Sequence, residues 1–272
     1  MSERLKIVSW NINSVRLRLP IVEKLLLDYA PDVLCLQETK CPDGSFPTAA
    51  FNKLGYRHVA MHGQKGYHGV ALISRVPLGD VECKEFCEMG DTRHIAATVE
   101  LGEVPVRLHN FYVPAGGDVP DPEVNDKFAH KLKFLDEMEA WFGGFSGESI
   151  VVGDLNIAPH ENDVWSHKQL LRVVSHTPLE CERLASVQAA GKYVDVVRQQ
   201  IPESEKLYSW WSYRAKDWSK ADKGRRLDHI WMTAGTAAQC RHVEVLRDAR
   251  GWEKPSDHAP VVSVLEAADF SG

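Results

Sequence analysis

Apolar residues recur along this chain in two rhythms. Alternating or continuously apolar runs of four to eight residues predict strands at Leu5 to Trp10, Val33 to Leu36, Tyr56 to Met61, Gly69 to Ile73, Ile95 to Leu101, Val106 to Tyr112 and Ser149 to Val152. Later strands are expected at Leu207 to Tyr213, Arg226 to Met232, His242 to Leu246 and Ala259 to Leu265. Between them, spacings of three and four predict helices at Pro20 to Tyr29, at Asn125 to Phe142, and at Pro178 to Gln200 with a break near Gly191. Pro20 suits a first-turn position, because its missing N–H is not needed there. The chain therefore reads as α/β.

No Ser/Gly-rich linker or low-complexity tract divides the pattern, and no repeat of 20 to 50 residues indicates a solenoid. The longest turn-rich stretch, Pro114 to Glu123, leads directly into a helix. One domain over 1–272 is expected, although 272 residues slightly exceeds the roughly 250 at which single cores tend to stop growing.

Composition narrows the class. With 44% hydrophobic and 26% charged residues the chain resembles an ordinary globular protein, and no stretch approaches the roughly 18 apolar residues of a membrane span. Met1 to Val8 passes from charged residues straight into strand-like alternation, without the apolar region and cleavage site of a signal peptide. The six cysteines form no CxxC pair. Reduced thiols and a cytoplasmic location are the expectation.

A formal net charge of −6 argues against a nonspecific polycation. Locally the balance reverses: Tyr213 to Arg226 carries six cationic residues against two acidic ones, beside Trp210, Trp211 and Trp218. Such a run is either a solvated basic loop or a surface on which sugars and bases stack.

Polar residues gather where the predicted strands end. Leu5 to Trp10 runs into Asn11 and Asn13, Val33 to Leu36 into Gln37 and Glu38, and Ile150 to Gly153 into Asp154, Leu155 and Asn156, while Val106 to Tyr112 carries Asn110 and Tyr112. Ends of neighbouring strands share a rim, where α/β proteins place active sites. Glu38, Asp257 and Asn11 are hard oxygen donors suited to Mg²⁺ or Mn²⁺, and no zinc spacing is present. Phosphodiester hydrolysis needs a water, a base and donors for developing charge, tasks that Asp154, Asn156, His258 and Tyr112 could perform. Taken singly these residues have plainer readings. Asp257-His258 before a proline suits a capped turn, Glu38 a solvated strand end, and Asn11 and Asn156 ordinary turns.

In order, the chain reads Ser9-Trp10-Asn11-Ile12-Asn13, Leu36-Gln37-Glu38-Thr39-Lys40, Gly63 to Leu72, Asn110-Phe111-Tyr112-Val113-Pro114, Gly153-Asp154-Leu155-Asn156, Tyr208 to Arg214, Arg226-Leu227-Asp228 and Lys254 to Val261. From residue 5 to 265 this series resembles the exonuclease III family, within the endonuclease/exonuclease/phosphatase superfamily.

The resemblance implies a four-layered αββα sandwich of the DNase I-like kind, acting as a monomer on duplex DNA with abasic sites, nicks or 3′ ends, using Mg²⁺ or Mn²⁺. It implies 3′-to-5′ exonuclease action, incision 5′ to abasic sites and cleaning of blocked 3′ ends. By motif, Glu38, Asn11 and Asp257 would hold metal, with Asp154 and Asn156 as a second place for it. His258 would touch the scissile phosphate, held by Asp228. Asp154 would activate water, Asn156 would orient it, and Tyr112 would donate to phosphate. Lys65, Tyr67, Arg93, Trp210, Tyr213, Arg225 and Leu227 would contact DNA.

The chain departs from the family's pattern at Ala115, where an Asn or Gln is common, and at Arg225, where an apolar residue walls the abasic-sugar pocket. The balance of activities turns on those two positions. A phospholipid or inositol phosphatase of the same superfamily would share the chemistry but leave the run from Trp210 to Arg226 without purpose. A non-catalytic nucleic-acid-binding protein would have no need of the complete polar set.

Overall fold

The computed structural model describes residues 3–267. Met1 and Ser2, which begin the stretch expected to lack a leader, and the last five residues of the expected 1–272 domain lie outside the described residues. The early strands are β1 (Arg4–Asn11), β2 (Val33–Gln37), β3 (His58–His62) and β4 (Val70–Ser74). There follow β5 (Gly79–Glu82), β6 (His94–Leu101), β7 (Val104–Tyr112), β8 (Ser149–Asp154) and β9 (Val194–Asp195). The last are β10 (Trp210–Trp211), β11 (Gly224–Arg225), β12 (Asp228–Met232), β13 (Cys240–Val245) and β14 (Val261–Glu266).

Twelve of these strands form two six-stranded sheets, ordered β13-β14-β1-β2-β4-β3 and β5-β6-β7-β8-β12-β9. Both are mixed: β1 runs parallel to β2 and β7 parallel to β8, with the other pairs antiparallel. Side chains alternate across each strand, so every inner strand supplies two cores. Leu5, Ile7, Val33, Cys35 and Leu72 of one sheet meet Ile95, Val106, Leu108, Ile150, Val152 and Ile230 of the other, all buried. The opposite faces take helices. Val8, Trp10, Leu34 and Leu36 pack under helix α1 (Leu19–Tyr29) and helix α2 (Thr48–Lys53). Phe111, Val151 and Trp231 pack under α3 (Asp126–Gly143) and, beyond the short α4 (His167–Leu170), under α5 (Pro178–Ala190). The result is the αββα sandwich.

Local chemistry sets the boundaries of the helices that cover the second sheet. Asn125 caps α3 by accepting from the Lys127 N–H. Thr177 and Glu180 form a reciprocal capping box at the start of α5, with Pro178 in its first turn. The expected helix to Gln200 divides in two. α5 ends at Ala190, the Tyr193 ring lies where a Cβ on Gly191 would sit, Val194–Asp195 joins β12 as β9, and α6 (Val196–Gln200) begins with Asp195 as its cap.

The strand expected over Leu207 to Tyr213 is mostly irregular: only Trp210–Trp211 pairs, with Gly224–Arg225. Ser209 accounts for this. Its hydroxyl donates to Asp228 and accepts the Leu227 and Asp228 N–H groups, and its carbonyl accepts from Ala259. The segment is therefore tied to two neighbouring chain stretches at once. That arrangement positions the site.

Candidate active site

The two sheets bring their polar strand ends to one rim. Asn11 closes β1 opposite Gln37 of β2, Tyr112 and Asp154 close β7 and β8 side by side, and Asp228 opens β12 opposite Asp154. Residues 256–260 precede β14, whose Val261 pairs with Ser9, so they reach the same rim. The strands leave through strained backbone: Asn13, Glu38, Lys40 and Asn156 all have φ between 47° and 56°. Non-glycine residues enter this left-handed region only where the surroundings hold them, commonly at functional sites. Gly153 shows why glycine is required before Asp154, since a Cβ there would lie 1.9 Å from the Phe111 carbonyl oxygen.

Side-chain contacts then fix each group. Asp228 accepts from His258 Nδ1 at 2.8 Å and from the Ser209 hydroxyl at 2.6 Å. The other ring nitrogen of His258, Nε2, lies 3.6 Å from Asp154. Trp10 Nε1 donates to the His258 carbonyl, and the Ser256 hydroxyl to that of Asn11. Asp154 is buried. It accepts from the Asn156 N–H at 3.0 Å on one oxygen and from Asn11 Nδ2 at 2.8 Å on the other. Asn11 also donates to Glu38 at 2.9 Å, and Lys40 pairs with the second Glu38 oxygen at 2.8 Å. Asp257 accepts from Asn13 and Trp210 Nε1.

These contacts separate the acidities. Burial raises the Asp154 carboxyl, reinforced by Asp228 and Glu38 against the pull of His258 and Asn11, to about 7. Burial alone would lower His258, but Asp228 and Asp154 overcome it and lift the imidazole to about 10. Burial likewise works against Glu38 and Asp257, yet both carboxyls end below their ordinary value, Glu38 through Lys40 and Asn11, Asp257 through His258 and Trp210. Tyr112 is pushed well up by burial and by Glu38 and Asp154, so its phenol keeps its proton. At neutral pH the site holds a protonated imidazole beside a carboxyl poised to give or take a proton.

Which groups could hold a metal? Asp154, Asp228 and His258 bring ligand atoms within 4.8 Å of one another. That spacing comes from the Asp228–His258 hydrogen bond, and a protonated imidazole is no ligand. The half-buried carboxylates Glu38 and Asp257, with Asp154 and the Asn156 amide, form a hard-oxygen set whose negative charge exceeds what Lys40 and His258 supply, which fits a small divalent cation. Asn11 now donates its amide N–H groups to two carboxylates and accepts from Asn13 N–H with its oxygen, so its amide would have to turn over to ligate.

A cleft of about 250 Å³ opens onto these groups, lined by Glu38, Tyr112, Asp154, Asn156, Asp257 and His258 on one side and Trp210, Arg225 and Leu227 on the other. Ala115 and Ser175 also line it. It continues past Tyr112 into a hollow of about 390 Å³ lined by Lys40, Tyr67, Arg93, Lys127 and His130. Of the residues expected to meet DNA, Lys65, Tyr67 and Tyr213 are exposed. Arg93 is 8% exposed, ion-paired to Asp91 and laid over the Tyr112 ring, which places it behind the tyrosine. Arg225 donates to the Val174 carbonyl and the Ser175 hydroxyl and lies over the Trp210 ring. Three supporting residues were not singled out from sequence: Lys40, Ser209 and Ser175. The first two lie inside the ordered motifs. Ser175 carries no sequence signal.

Comparison with known proteins shows the family and the fold. A family model described as the Endonuclease/Exonuclease/phosphatase family matches residues 8–258. Exodeoxyribonuclease III of Haemophilus influenzae is 33% identical, the match covering 94% of this chain and 98% of that protein. An exodeoxyribonuclease of Bacillus subtilis is 27% identical over 96% of this chain and 99% of its own. Among solved structures, an AP endonuclease from Archaeoglobus fulgidus superposes with a TM-score of 0.89 at 34% identity, covering 96% of this chain and 99% of that one. A 3′ phosphatase from Neisseria bound to a product DNA hairpin gives 0.87 at 32% identity, with 96% and 99% covered.

Proposed function

The chain belongs to the endonuclease/exonuclease/phosphatase family as a metal-dependent phosphodiesterase of DNA repair, and we propose that it acts as a cytoplasmic monomer of one domain on duplex DNA with abasic sites, nicks or 3′ ends, its cleft dividing the work between residues as follows. The carrying observation is the pairing of a buried carboxyl held near 7, Asp154, with an imidazole held protonated by Asp228, both facing one cleft.

Asp154 takes a proton from water as the water oxygen bonds to phosphorus and the bond to the 3′ oxygen breaks, the departing 3′ oxygen taking up a proton from solvent. Its ordinary acidity would make it too weak a base, and burial corrects that. The Asn156 N–H and Asn11 amide fix its two oxygens. Nε2 of His258 donates to a phosphate oxygen as charge grows there, and Asp228 fixes the ring orientation through Nδ1. The Tyr112 phenol, still protonated, supplies a second donor. Glu38 and Asp257 would hold Mg²⁺ or Mn²⁺, with Asp154 and Asn156 as a second place for such an ion; Asn11 would join as a ligand only by giving up its N–H bonds to Asp154 and Glu38. That ion supplies Lewis acidity toward the phosphate. Trp210 and Leu227 wall the sugar 3′ to the scissile bond. Lys65, Tyr67, Tyr213 and Arg225 meet the backbone, and Arg93 acts by bracing Tyr112.

A substrate panel tests this reading: a duplex with a stable abasic analogue, an intact recessed duplex and a phosphoinositide, each with Mg²⁺ or with EDTA. Cleavage of the two DNAs with Mg²⁺ alone is expected. Turnover of the phosphoinositide only, or DNA binding with no cleavage, contradicts it.

A further inference from the structure

The nuclease reading leaves one steric problem. Incision 5′ to an abasic site and removal of a 3′-terminal nucleotide break the same bond relative to the nucleotide concerned, so both put its sugar beside Trp210 and Leu227. An abasic residue ends there; a normal nucleotide still carries its base. The cleft has an exit for it. A hollow of about 480 Å³ opens between Trp165, Val173, Ser212, Arg214 and Lys223, and shares Gly117, Val174, Trp210 and Arg225 with the cleft.

Its far wall suits a base. Trp165 is anchored by its N–H to the Gly224 carbonyl and packs into two small apolar clusters, while its ring remains partly exposed. Lys223 Nζ lies 4.5 Å from the ring centroid. Among the described residues neither Lys223 nor Arg214 has an ion-pair partner, and both side chains are exposed. Asp118 is the single acidic residue of the lining. An aromatic face attended by two exposed cations without ion pairs is what a base with its neighbouring phosphate requires, whereas a bare phosphate has no use for the indole. The volume falls within the roughly 300–1,000 Å³ of clefts that enclose small organic groups.

Resting on the nuclease reading, we infer that this hollow is a subsite for the base of the nucleotide 3′ to the scissile bond, with Trp165 as its stacking surface. Arg225, fixed by Val174 and Ser175, stands at the threshold between sugar and base.

Equilibrium binding in EDTA, where no strand is cut, tests it with two recessed duplexes that differ only in whether the 3′-terminal nucleotide carries its base. Stacking on one aromatic face predicts a preference of about tenfold for the base-bearing end. Trp165→Ala abolishes that preference and Trp165→Phe keeps most of it. Wild-type protein that holds both ends equally, or an alanine variant that keeps the preference, overturns the assignment. Cleavage is not read here, so failure of the nuclease reading would appear in the substrate panel instead.

Discussion

At the residue scale, the site depends on one carboxylate controlling one imidazole. Asp228 is the largest of the charges that lift His258, so Asp228→Asn should return the ring toward its ordinary value and weaken its donation to phosphate. A loss of the order of 10² in kcat is expected, steeper above pH 7 than below it, because the protonated ring is then lost as pH rises. Parallel pH profiles for variant and wild type would refute the coupling. Arg225 acts at the same scale on choice of substrate. Its guanidinium covers Trp210 where the abasic sugar needs an apolar wall. Arg225→Leu should raise abasic-analogue incision relative to removal of terminal nucleotides by about tenfold, the scale of one altered pocket contact. An unchanged ratio in side-by-side assays would show that the position does not choose.

At the element scale, an ion network ties β12 and α6 to the loop at Asp163. Asp163 accepts from both Arg198 and Arg226, and Asp195 pairs with Arg226 while capping α6. Burial pushes the Asp163 carboxyl up, but Arg226 and Arg198 more than reverse it, so it ends below its ordinary value. A carboxyl depressed on folding stabilises the protein above its unfolded value, about 3.9, and loses that contribution as pH falls below it toward the folded value. Asp163→Asn, which leaves two buried guanidiniums short of charge, should cost about 3–5 kcal/mol at pH 6. The gap from wild type should narrow by pH 3. Denaturant midpoints at the two pH values decide it, and a constant gap would contradict the network's role.

Elements were legible where the pattern was long and apolar. The inner strands β1, β2, β4, β6, β7 and β8 carry it on both faces. The edge strand β5 is exposed throughout and left no periodic trace. Ser209 drew its segment out of strand geometry through bonds to Asp228 and Ala259, partners 19 and 50 positions away that no local pattern announces.

At the scale of the whole molecule, a chain of net charge −6 binds a polyanion only if its cations are gathered along the groove. Lys40 and Lys127 line it at one end, with the exposed Lys65 two positions before Tyr67, and Arg214 and Lys223 line it at the other. Affinity for duplex DNA should therefore fall steeply with salt. Lys65→Ala should reduce the slope of log K against log salt by about one, irrespective of sequence. An unchanged slope would remove Lys65 from the interface. The rim itself was readable from sequence because its groups end strands and appear in a known order. The two-sheet arrangement followed from the family resemblance and not from the strand pattern itself, and the hollow at Trp165 had no sequence signal, because its lining comes from stretches as far apart as Gly117 and Arg225.

The central claim is that Asp154, held near 7 by burial between Asn11, Asn156 and His258, takes the proton from the attacking water. Single-turnover cleavage of an abasic-analogue duplex by Asp154→Asn, with folding checked by thermal melting and DNA affinity measured alongside, tests it most directly. The rate should fall by about 10² to 10⁴ while the variant still folds and binds. Turnover close to wild type in a folded Asp154→Asn protein would contradict the account.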